Sequence, residues 1–189
     1  LAFGVDSGNQ KKVDMAKRVF ELSQISDMPQ EIPFQPSFRH LCNILQINNG
    51  DLAKTKVAYK EELKNSRDER RLEERSLCAK HWLEHYAPEE FKFGLNQSIP
   101  TDLNLTDYQS NFIKKVKSFI QEEWNSINTD KDLHGKLYEY IHEDDQLEPG
   151  DAFQALYKIL ISKEKGPKLA GFIRTIGKSK VLSILSNIK

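Results

Sequence analysis

Apolar residues recur at three- and four-residue spacing along almost the whole of this chain, and the every-second-residue alternation of half-buried strands is nearly absent. Side chains three and four apart share one face of a helix, so the sequence predicts an all-α protein built as a multi-helix bundle. A chain of 189 residues can bury one sizeable core or two small ones packed together. No apolar run reaches the roughly 18 residues that span a bilayer, and the N-terminus lacks the regions of a signal peptide, so no membrane is expected and the cytoplasm is.

The helices can be placed by their start and stop signals. "VDMAKRVFELSQI" carries Val13, Ala16 and Phe20 on one face, and "MPQEIPFQPS" then sets three prolines within eight residues, a linker or extended crossing. Ser37 is read as the N-cap of "FRHLCNILQI", with Phe38, Leu41, Cys42 and Leu45 inward and Gly50 at the left-handed position that ends it. Asp51 caps the next helix. A long charged helix follows, with Leu72, Ser76, Ala79, Leu83 and Tyr86 on one stripe, and Pro88 stops it. "PEEFKFGLNQSIPTDLNL" has no period of its own and is expected to pack across the surface. Thr106 with Gln109, and Thr129 with Asp132, form capping boxes before two further helices. Asp151 is read as the cap of "AFQALYKILI", Pro167 as a first-turn residue of "KLAGFIRTI", Gly177 as its end and Ser179 as the start of "KVLSILSNI". The expected organisation is an N-terminal helix and linker at 1–36, a central helical subdomain at 37–148 and a three-helix subdomain at 149–189, or one continuous unit.

Charge is balanced overall but uneven along the chain. From Glu139 to Asp151 six acids meet no Lys or Arg, whereas from Ser162 to Lys189 seven basic residues meet one acid, Glu164. The C-terminal segment is therefore the best candidate for an anionic partner. Cys42 and Cys78 both sit in apolar helical patterns and are read as two buried thiols, not a disulfide. The chain opens at Leu1 without a methionine and is read as a piece of a longer protein.

His81-Trp82-Leu83-Glu84-His85 fits the H-x-x-E-H pattern in which two histidines one turn apart bind zinc and a glutamate acts as base. The pattern fixes three ordinary residues in five, no third ligand is singled out, and both histidines lie off the apolar stripe. Solvated histidines on a scaffold helix are the better reading, and no metal site is expected. "GKSK" at Gly177 to Lys180 lacks the leading glycine and strand of a phosphate loop, and no nucleophile motif occurs. No catalytic residue is assigned.

Three stretches, "SFRHLCNILQI", "RSLCAKHWLEHYAPEEFKFGL" and "ALYKILISKEKGPKLAGFIRTIGKSKVLSIL", together resemble the C-terminal region of class I lysyl-tRNA synthetases. The most specific parts are Y-A-P-E-E-F and the G-P-K step, the latter shared more loosely with glutamyl-tRNA synthetases. The resemblance implies an all-α, cage-like anticodon-binding region that contacts the anticodon loop of tRNA-Lys, with no role for DNA. It also implies a separate catalytic domain bearing the HIGH-like and KMSKS-like motifs, ATP and magnesium; neither motif occurs here, so this chain alone is expected not to aminoacylate and to hold no cofactor. A glutamyl-type anticodon domain and a helical protein-interaction module, the latter suggested by zero net charge and the acidic run, are the alternatives.

Anticodon bases are unstacked and flanked by phosphates, so aromatic faces, base-edge donors and cations are the groups that read them. Lys163, Lys165, Gly166, Pro167 and Lys168 set three cations and a close-approach glycine at a helix start. Arg39 and His40 offer a donor and a stacking face in the first turn of their helix. Phe172, like Tyr157, could stack on a base, although its spacing favours the core, and Arg174 and Lys178 fit phosphate anchoring.

Overall fold

A computed structural model describes residues 10–23 and 34–188. Its helices are α1 (Gln10–Ser23), α2 (Phe38–Ile47), α3 (Leu52–Ala58), α4 (Ser66–His85), α5 (Asp107–Glu123), α6 (Asp130–His142), α7 (Pro149–Ile161), α8 (Leu169–Ile176) and α9 (Lys178–Ile184), with single 3-10 turns at Trp124–Ser126 and Leu185–Asn187. No strand occurs among the described residues, so the fold is all-α. No described helix is long and apolar enough to cross a membrane. In α1, Val13 is buried and Ala16 half-buried; the proline-rich stretch up to residue 33 and the side chain of Phe20 lie outside the described residues.

Local chemistry sets most helix ends. The Thr106 hydroxyl accepts from the Gln109 N–H while the Gln109 side chain accepts from the Thr106 N–H, closing the capping box of α5. Thr129 and Asp132 do the same for α6. Asp51 accepts from the Lys54 N–H to start α3, and Asn65, a cap the sequence did not advertise, accepts from Arg67 and Asp68 to start α4.

Several expected boundaries shift. The Ser37 side chain makes no cap bond. The end of α2 is a Schellman turn in which Asn49 takes the first left-handed position (φ 53°) and Gly50 the next (φ 74°), its N–H reaching the Leu45 carbonyl at 2.7 Å. Pro149, not Asp151, opens α7, because proline's fixed φ suits the first helical position; Asp151 falls in the first turn. Pro167 lies one residue before the N-cap Lys168, outside α8. Gly177 (φ 87°) both ends α8 and starts α9 at Lys178, which displaces Ser179. At the end of α4 the buried stripe stops at Leu83, and Tyr86 is 70% exposed because the chain leaves the helix there. Cys78 is exposed on α4 and only Cys42 is buried, its thiol pushed up to about 11 by burial.

The buried side chains form two clusters. The first is built by α2, α3 and α4 around Leu41, Leu45, Tyr59, Leu72 and Leu83. The second joins α5 and α6 to α7, α8 and α9 around Phe112, Ile120, Leu137, Ile159 and Ile173. Helices α5 and α6, grouped by the sequence with α2–α4, thus share their core with the C-terminal helices. The two clusters meet through α2, whose last residue, Ile47, belongs to the second. The aperiodic connection packs across the surface as expected, with Phe93, Leu95, Ile99 and Leu103 against the second core. Asn96 fastens it to the end of α7, its N–H donating to Leu160 at 2.8 Å and its carboxamide to Ile159 at 2.8 Å.

Candidate nucleic-acid interface

The segment between α7 and α8 follows a fixed course. Ser162 ends α7 in the left-handed region (φ 55°). The Lys163 ammonium donates to the Glu89 carbonyl at 2.6 Å, tying the segment to the connection after α4. Gly166 then lies so close to α7 that a Cβ there would stand 2.9 Å from both Tyr157 and Ile161. The Tyr157 hydroxyl donates to the Pro167 carbonyl, which holds the next turn in place; burial of this tyrosine raises its pKa.

This segment faces the first turns of α2 across two adjoining clefts. The larger, about 790 Å³, has Arg39, His40 and Asn43 on one wall and Pro167, Lys168 and Arg174 on the other. The smaller, about 230 Å³, is lined by Arg39 and Asn43 opposite Lys163, Lys165 and Gly166. Arg39, Asn43 and Pro167 border both. Residues more than 120 positions apart in sequence are thereby brought to one place, among them every candidate RNA-contacting residue from the sequence except Tyr157 and Lys178.

The cations of the basic segment divide into two groups. Arg174 pairs with Asp130 and donates to the Asn128 carbonyl at 3.0 Å, bracing the start of α6. Lys178 donates to the Gln121 carbonyl at 2.8 Å and lines neither cleft. Lys180 donates to Asn48 at 2.9 Å, at the far end of α2, where burial and the nearby Lys54 lower its pKa. By contrast, Arg39, Lys165 and Lys168 are exposed and make no ion pair or side-chain hydrogen bond among the described residues.

The aromatic candidates differ as well. Phe172 is 2% exposed and meets the ring of Phe93 edge-on at 5.2 Å; it is core under the larger cleft, which leaves it no open face for a base. His40 is exposed, with the edge of Tyr59 at 5.9 Å on one side. Asn43 was missed by sequence reasoning. Its only signal is that it lies one turn beyond Arg39 on the same face of α2.

His81 and His85, the pair of the H-x-x-E-H pattern, are both exposed with ring centroids 4.4 Å apart. Among the described residues no group of three or more His, Cys, Asp or Glu side chains is placed to hold a metal ion.

No protein-family model matches the chain. Curated relatives do. The lysine–tRNA ligase of Borreliella burgdorferi is 34% identical over 186 residues, covering 98% of this chain and 35% of the relative. That of Methanosphaera stadtmanae is 33% identical over 196 residues, 96% of this chain and 36% of the relative. That of Treponema pallidum is 33% identical over 193 residues, 98% and 35%. The chain is therefore homologous to a region of the lysine–tRNA ligases, the family its motifs resemble, and spans about a third of their length.

Proposed function

We propose that this chain is the anticodon-binding region of a class I lysine–tRNA ligase, holding the anticodon loop of tRNA-Lys while a catalytic domain elsewhere in such an enzyme carries out ATP-dependent lysylation. The observation that carries this reading is the convergence of Arg39, His40, Lys165 and Lys168, far apart in sequence, on one pair of clefts with their polar groups uncommitted. ATP and magnesium belong, in this reading, to the part of the enzyme that these 189 residues do not include.

The division of labour follows from the chemistry of each group. Lys165 and Lys168, exposed ammonium groups on a fixed turn, suit backbone phosphates. Arg39 offers planar donors to a base edge or a phosphate, and His40 offers a ring face. A wrong base leaves polar groups in the cleft unpaired, at a cost of roughly 1–3 kcal/mol per lost base-edge pair. No bond is made or broken in this chain's part of the work. It fixes position, and thereby decides which tRNA reaches the reactive end.

The test is a fluorescence-anisotropy titration of the chain with a lysine anticodon stem-loop, beside one whose anticodon uridines are replaced by cytidines. Tighter binding of the uridine loop is the expected result; equal affinity for the two loops would reject base readout by this chain.

A further inference from the structure

The larger cleft is within the size range of ligand sites, and one polar group on its wall stands out. Asn43 is half-buried in the middle of α2, a position where asparagine is a poor helix former. Its carboxamide has no hydrogen-bond partner among the described residues. It borders both clefts, one helical turn from Arg39, whose guanidinium is likewise unpaired. The acids nearby do not supply the missing partner: Asp130 is engaged by Arg174, and Glu90 borders the smaller cleft only.

Arg39 and Asn43 are free to offer an ordered array to a guest. A guanidinium only donates, so a carboxamide turned with its oxygen towards Arg39 would leave its amide N–H on the far side. The order along this face of α2 is then donor, acceptor, donor. An unstacked uracil presents the complement along its Watson–Crick edge: O2 accepts, N3–H donates, O4 accepts. Cytosine has an unprotonated N3 beside an exocyclic amine, so two of its three positions oppose the array. We propose that Asn43, with Arg39 beside it, is the base-reading residue of this cleft and selects uridine over cytidine. This rests on the anticodon reading above and adds to it which side chain does the reading.

The test repeats the two-loop titration on the chain and on two variants, Asn43→Ala and the near-isosteric Asn43→Asp, with circular dichroism and melting curves to confirm that each folds. The parent chain should prefer the uridine loop. Asn43→Ala should weaken that loop by about tenfold or more and leave the cytidine loop and the salt dependence nearly unchanged. Asn43→Asp, which keeps the acceptor and loses the donor, should shift preference towards cytidine, whose exocyclic amine it can accept. A purely structural role for Asn43 would weaken both loops alike and leave the base preference unchanged. If the parent discriminates and both variants retain its full preference, Asn43 is overturned as the reader while the anticodon reading stands. If the parent does not discriminate, both fall.

Discussion

Whether a lysine's charge is available to a ligand depends on whether its own fold already occupies it. Lys178 and Arg174 donate to carbonyls at the ends of neighbouring elements, and Lys163 does so across the connection after α4. Lys165 and Lys168, a few residues away, do not. Replacing both Lys165 and Lys168 by alanine should therefore weaken stem-loop binding and reduce the slope of log affinity against log salt by ~1.4, two contacts at ~0.7 each. Lys178→Ala should leave that slope unchanged. Anisotropy at several salt concentrations checks both. The sequence supplied the count of cations but not this partition, because the carbonyls that occupy Lys163, Arg174 and Lys178 lie about 46 to 74 positions away in the chain. Asn43 escaped notice for the opposite reason: an unpaired amide inside a helix has no local pattern, and only the facing wall gives it meaning.

At the scale of the element, the turn between α7 and α8 is shaped by contact more than by backbone conformation. Gly166 is needed for the space beside Tyr157 and Ile161. Gly166→Ala should destabilise the chain by about 1–3 kcal/mol through overpacking and should loosen the Pro167 turn, so that urea unfolding and stem-loop affinity both register the change. The start of α4 depends on a carboxylate instead. Asp68 is 6% exposed and accepts from the Phe34 N–H at 2.8 Å and the Lys64 N–H at 3.0 Å. The Phe34 bond first, then the Lys64 bond, hold its carboxyl below the ordinary range. A depressed carboxyl adds stability that is complete above its unfolded value and is lost as pH falls through the folded one. Asp68→Asn should thus lower the melting temperature near neutral pH and make it less sensitive to acid below about pH 4. Melting curves across that range would show it. Helix starts governed by neighbours in sequence, as at Thr106 and Thr129, were legible beforehand. Where two local signals competed, backbone geometry decided: Pro149 took the start of α7 from Asp151, and Gly177 took that of α9 from Ser179.

For the whole molecule, helical period alone was enough to give the class, since strand-like alternation is nearly absent from the chain. It could not show how the helices are shared between cores. The sequence reading divided the chain between residues 148 and 149 or left it one continuous unit, and Leu133, Leu137 and Ile141 of α6 pack with the helices that follow that point. The candidate surface was legible as two separate patches of composition, and the packing of α2 beside α8 brings them together. The first core supplies one wall of the clefts and the second core supplies the other. A guest bound between them therefore acts as a reversible crosslink: its binding energy opposes separation of the two halves, leaving the interior of each half as it was. Under the anticodon reading, occupancy of the clefts and docking of the two halves would reinforce each other.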